Sequence, residues 1–222
     1  MVPVTADVAI ITAIYDSYDE LKPIVPQDGV DVDWILVTDA PPPVIPDCGW
    51  RVISQPRPGV HPNRAAKRPK FLPWEYTDAP ASVWLDASLR VTSPRLAVEM
   101  ISYADPVAQY VHPWRDCIYT EADASVGIPK YAGEPIVAQA AEYRAAGHPE
   151  AWGLWATTAI ARRHTEQVRG FGERWLAEVE AWSFQDQVSH PYVLREAGLW
   201  PTSLPGDHLT NAWTVFEGSG RH

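Results

Sequence analysis

Asp86 closes the apolar run W-L-D-A-S. A lone carboxylate at the end of a buried strand suits a divalent cation that in turn holds a diphosphate. The same carboxylate also suits a turn cap. An aspartate two residues further on would strengthen the metal reading, but Ser88 stands there. Arg64, Lys67, Arg68 and Lys70 form a dense basic cluster in an acidic chain. Such a patch either neutralises phosphates or makes a solvated charged face. Lys67 and Lys70 are spaced i, i+3, so on a helical turn they share one side.

The stretch H-P-W-R-D-C-I-Y-T-E, His112 to Glu121, gathers further polar chemistry. Asp116 and Glu121 suit sugar hydroxyls and Arg115 suits a phosphate, yet a salt bridge from Arg115 to either carboxylate uses the same groups. Arg162, Arg163 and His164 bring two cations and a titratable group, or else a helix-terminal charge cluster. Asp186 and Gln187 stand near a helix start, where the carboxylate either serves a site or caps backbone N–H groups together with Ser183. His208, in G-D-H-L-T, is either a metal ligand or a surface histidine. Among 11 tryptophans, Trp114, Trp152 and Trp182 are candidates for stacking on rings, with core packing as the alternative.

These residues need elements to position them. Val8 to Ile14 and Asp33 to Asp39 read as buried strands, followed by Trp50 to Ser54, Ser82 to Ser88, Ala108 to His112 and Trp155 to Ala161. A short helix is expected after Tyr15, and Pro41 to Pro43 should stop regular structure. Further helices are expected from Ser93-Pro94, over Pro135 to Ala146, around Trp175 to Trp182, and after a capping box at Ser183 to Asp186. Pro191 should delay or kink the last, and the end from Gly206 should be irregular. Alternation of strands and helices predicts an α/β fold with a mostly parallel mixed sheet flanked by helices. Ligands bind beyond the carboxyl ends of such strands, where Tyr15, Asp39 and Asp86 fall.

Composition excludes several classes. The chain has 222 residues with 46% apolar and 21% charged side chains, the balance of a folded globular protein. Its net charge of −10 argues against a protein that coats nucleic acid. Cys48 and Cys117 are too few for a disulfide framework or a cysteine-rich zinc site and are expected to be buried thiols. G-F-G at Gly170 to Gly172 lacks the third glycine of a dinucleotide loop, and no P-loop, nucleophile elbow or H-E-x-x-H is present. Neither a signal peptide nor a membrane span is legible, so a cytoplasmic location is expected.

Taken together these pieces resemble the TOD1/MUCI70-type glycosyltransferase-like domain family. The resemblance rests on I-T-A-I-Y-D-S-Y-D-E-L, V-T-D, A-K-R-P-K-F-L-P, S-V-W-L-D-A-S, H-P-W-R-D-C-I-Y-T-E-A, R-R-H and W-L-A-E-V-E-A-W-S-F-Q-D-Q-V-S in that order. Two departures stand out: W-L-D-A replaces the family's W-I-D-G, and Gln185 replaces the arginine of R-D-Q-L-S. The resemblance implies a GT-A-like, Rossmann-like domain. Residues 1–112 would form its nucleotide-sugar half and residues 113–222 its acceptor half.

It further implies transfer of a sugar from a nucleotide-sugar, with a UDP-sugar expected, to an unknown hydroxyl on protein, glycan or modified DNA base, with Mn²⁺ or Mg²⁺ as cofactor. On that reading Ala13, Tyr15, Asp39, Arg64, Lys67, Lys70 and Asp86 bind the donor. Asp86, Ser88 and His208 hold the metal. Asp116, Glu121, His164 and Gln187 bind the acceptor, and Asp186 orients its hydroxyl or acts as general base. The rival readings are a non-catalytic nucleotide- or sugar-binding module and, ranked lower, a ceramide-type amide hydrolase.

Overall fold

The computed structural model describes residues 6–40, 49–57 and 59–218. Cys48 and the proline stop at 41–43 lie outside them. The elements run in the order β1 (Val8–Ile14), β2 (Val32–Thr38), β3 (Arg51–Ser54), α1 (Pro62–Ala65), α2 (Lys67–Phe71), β4 (Ala81–Leu85), β5 (Leu89–Val91), α3 (Leu96–Tyr103) and β6 (Val107–Val111). There follow α4 (Ile118–Val126), α5 (Ile136–Ala145), β7 (Trp155–Arg163), α6 (Glu166–Ala181), α7 (Asp186–Glu196), β8 (Thr202–Ser203) and β9 (Thr214–Phe216).

The main sheet has the order β3-β2-β1-β4-β7-β6-β8. The first four strands are mutually parallel, and β7 runs antiparallel between β4 and β6. This is the mixed, mostly parallel Rossmann-like sheet expected, and it runs unbroken across the boundary drawn at 112/113. β1 lies inside the sheet between β2 and β4, and its apolar run is covered on both faces. Successive side chains alternate between faces. Ile10 joins the core under α3 with Leu96 and Met100. Ile11 joins the core under α2, α6 and α7 with Phe71, Trp175 and Val193.

Three local expectations need correction. No helix follows Tyr15: residues 15–31 are irregular, Asp16 and Ser17 take positive φ of 57° and 51°, and Pro23 and Pro26 interrupt the chain. The C-terminal stretch is not wholly irregular, because β9 pairs antiparallel with β5. Ser183 does not open a capping box. Its hydroxyl is bound to Gln139 Oε1 at 2.5 Å, the helix begins at Asp186, and Pro191 sits inside it.

The G-F-G stretch has a packing role. Any Cβ at Gly172 would overlap the Phe71 carbonyl oxygen and the Trp74 ring, so glycine lets α6 press against the end of α2. That contact fixes the short helix carrying Lys67 and Lys70.

Candidate active site

A cleft opens at the carboxyl edge of the parallel strands, where the loops after β1 and β4 meet α2 and the start of α7. Ala13, Tyr15, Lys67, Lys70, Asp86, Ser88, Asp186 and Gln187 all line it. The residues assigned separately to donor, metal and acceptor therefore converge on one space. Thr157 and Thr158 reach the same edge because β7 is antiparallel and begins there.

Lys67 and Lys70 do share one side of α2. Their ammonium groups lie 2.9 and 2.7 Å from the same oxygen, Asp186 Oδ2. Oδ1 of Asp186 accepts from the Thr157 hydroxyl at 3.2 Å. Asp186 makes no side-chain cap, so the capping alternative fails. Burial alone would raise its proton affinity, but the two lysines outweigh that and hold the carboxyl far below its ordinary range. Burial lowers Lys67 more than Asp186 can restore. Burial also acts on Lys70, but Asp186 and Asp86 together overcome it and its pKa is raised.

Arg162 is wholly buried behind this cluster, in β7 and not at a helix end. One of its nitrogens donates to the Lys70 carbonyl, while Nε and Nη1 have no partner among the described residues. Lys67, Lys70 and Arg162 thus stand against Asp186 and Asp86, a local excess of positive charge in a chain of net −10.

Asp86 is held by Trp84 Nε1, which donates to Oδ1 at 2.7 Å, and by Lys70 at 3.4 Å from the same oxygen. Its side chain is 34% exposed and so reachable from the cleft. With the Ser88 hydroxyl it fits a Mg²⁺- or Mn²⁺-type cation that takes its remaining ligands from phosphates and water. Among the described residues no group of three or more His, Cys, Asp or Glu is arranged to hold a metal alone. His208 is not in the cleft lining; its ring lies edge-on to Trp114 at 6.0 Å.

Several expected site residues fall elsewhere. Arg64 spends its guanidinium on the carbonyls of Val179 and Trp182 and on Glu134, because α1 is tied to the end of α6. Asp39 sits at the correct strand edge but outside the lining, taken up by Arg57 Nε at 2.6 Å and the Asp16 N–H at 3.0 Å. His164 is at the opposite edge of the sheet, since β7 runs backwards, and bonds Ser82 Oγ at 2.9 Å. Asp116 is exposed and outside the cleft. Glu121 is buried behind the wall, where it binds Arg115 as the salt-bridge alternative required. It also accepts from Gln185 Nε2 at 2.9 Å and Gln187 Nε2 at 3.4 Å. Glu121 therefore positions cleft residues and does not itself face a ligand.

The sequence reading missed Asp19, Lys130, Tyr131 and Gln185 as cleft residues. Asp19 had a signal, since it follows β1 in the D-S-Y-D-E loop. Gln185 takes the Tyr131 hydroxyl on Oε1 at 2.9 Å. Lys130 stands over the Tyr131 ring at 4.9 Å and carried no signal in the sequence.

Four histidines make stability pH-dependent. Burial pushes His112, His148 and His164 down to about 4 and His190 to about 3. An unfolded histidine titrates near 6.5, so between about 6.5 and 4 the unfolded chain binds more protons than the folded one. Stability should be full above pH 7 and fall as pH drops through that window. The wholly buried His190 alone contributes a slope of up to about 1.4 kcal/mol per pH unit. Urea melts at about pH 7.5, 6 and 5 check this; a flat profile would contradict it.

A Rossmann-like sheet with a charged cleft beyond its strand ends defines an α/β ligand-binding or catalytic domain. The family model of the TOD1/MUCI70 glycosyltransferase-like domain matches residues 48–200, and the chain belongs to that family. No curated protein matches it. No helix among the described residues is long and apolar enough to cross a membrane.

Proposed function

We propose that this domain transfers a glycosyl group from a nucleotide-sugar, a UDP-sugar first among candidates, to an acceptor hydroxyl. The observation that carries this reading is the pair of lysines, Lys70 buried and Lys67 partly buried, sharing one carboxylate at the cleft. Lys67, Lys70 and the Arg162 behind them outnumber Asp186 and Asp86, which leaves positive charge for an anionic group, and a diphosphate leaving group develops negative charge there as the glycosidic bond breaks. A divalent cation bound at Asp86 and Ser88 would add Lewis-acid stabilisation of that same charge.

Asp186 has two successive tasks on this reading. It first anchors Lys67 and Lys70 in place. When a diphosphate engages the lysines, burial dominates its environment, its proton affinity rises, and its carboxylate can orient or deprotonate the acceptor hydroxyl. Gln187, held by Glu121, contacts the acceptor from the same helix start. The cleft lining contains no histidine or cysteine among the described residues, which disfavours a Ser–His or Cys–His hydrolytic pair for an amide substrate.

The test is hydrolysis of UDP-, GDP-, CMP- and dTDP-sugars by the purified protein with and without Mn²⁺, beside thermal-shift binding of the same donors. One donor should be bound and slowly hydrolysed, and Asp86→Asn should remove the Mn²⁺ dependence while the protein stays folded. Donor binding with no turnover under any condition would favour the non-catalytic binding module. A Mn²⁺ effect unchanged in Asp86→Asn would remove Asp86 from the metal site.

A further inference from the structure

Trp114 is the most exposed large apolar side chain among the described residues, at 66%. It is nonetheless held in place. The backbone N–H groups of Trp114 and Arg115 donate to His112 Nδ1 at 3.3 and 3.1 Å. The His112 and His208 rings stand near-perpendicular to the indole at 5.6 and 6.0 Å, and with both neighbours in place two thirds of the tryptophan remains exposed. The loop bearing His208 is itself fixed, because Asp207 accepts from the Leu209 and Thr210 N–H groups at 2.7 and 2.8 Å. An immobilised, exposed indole loses little entropy when a flat apolar face settles on it.

A chain of contacts leads from this platform to the cleft. His112 lies 3.7 Å from Glu121, which holds Gln187 of the cleft wall. The other two tryptophans with the same sequence credentials do not compete. Trp152 is packed among His148, Trp155 and Trp200, and Trp182 is half-buried, with its carbonyl taken by Arg64.

We propose that Trp114 is an acceptor subsite on which a sugar ring of a neutral glycan stacks, placing the next hydroxyl toward the cleft. The proposal deepens the glycosyl-transfer reading and rests on it for the word acceptor. The surroundings select a neutral carbohydrate. Arg115 is neutralised by Glu121, while the exposed Asp116 and the nearby Asp207 carry negative charge. Carboxylates beside an aromatic face suit sugar hydroxyls and repel a polyanion such as DNA.

The test is retention of the labelled full chain on an array of neutral glycans, sulfated glycans and single-stranded oligonucleotides, in the presence of UDP. Wild type, Trp114→Ala and Trp114→Phe are compared, and UDP affinity is measured in parallel by calorimetry. Wild type should be retained on a subset of neutral glycans. Trp114→Ala should lose about 10-fold in retention with UDP affinity unchanged, and Trp114→Phe should keep most of it. No retention of wild type on neutral glycans, equal retention of Trp114→Ala, or preference for oligonucleotides would each overturn the proposal. Loss of glycan retention in Trp114→Ala beside a wild type that never binds UDP would support the subsite and overturn the donor reading alone.

Discussion

Replacing Lys70 with alanine is expected to cut the affinity for UDP by about 10- to 100-fold while leaving uridine binding within about threefold. A charge-assisted hydrogen bond to phosphate contributes roughly 1.5–3 kcal/mol, and that range converts to the stated factor. Lys70 is the stronger of the two lysines for this experiment because it is 2% exposed and touches both Asp186 and Asp86. Calorimetric titration with UDP, UMP and uridine separates the contributions. The loss should grow with each phosphate. Equal losses for uridine and UDP would mean that Lys70 only supports the fold. The variant leaves Asp186 one partner, Lys67, so it should remain folded, and a thermal melt run beside each titration verifies that.

Asp186→Asn should have the largest effect on stability. The substitution keeps the shape and the Thr157 hydrogen bond but removes the charge that Lys67 and Lys70 share. Removing one partner of a buried ion pair typically costs about 3–5 kcal/mol, because the remaining charge stays desolvated. Loss of a simple helix cap would cost only about 1 kcal/mol. For a chain of this size the larger figure corresponds to a fall in melting temperature of roughly 10 °C. The same variant should bind UDP at least as tightly as wild type, since the competing carboxylate is gone. Its stabilisation by saturating UDP should therefore exceed that of wild type, and glycosyl transfer should fall by roughly 100-fold. A small loss of stability together with weaker UDP binding would contradict the counter-ion role.

Much of this arrangement was legible in the chain. Apolar, β-branched runs bounded by polar residues marked β1, β2, β4 and β7, because a strand covered on both faces must be apolar on both. The i, i+3 spacing placed Lys67 and Lys70 on one side of a turn before any partner was visible. Asp86 at a strand end and Asp186 at a helix start pointed to the two walls of the cleft.

What the chain could not reveal is direction and partnership. The residues after β6 look the same whether β7 runs with β4 or against it. Only the tertiary structure turns β7 round, which brings Thr157 to the cleft and sends His164 to the far edge. Arg64 and Lys67 are equally basic in sequence. Arg64 meets the carbonyls at the end of α6 and is consumed by them, while Lys67 meets a carboxylate lining the cleft. Local composition fixes which residues are charged or apolar, because those are properties of the side chain. Whether a charge faces a ligand or a backbone carbonyl is decided by long-range packing, as where Gly172 lets α6 close on α2.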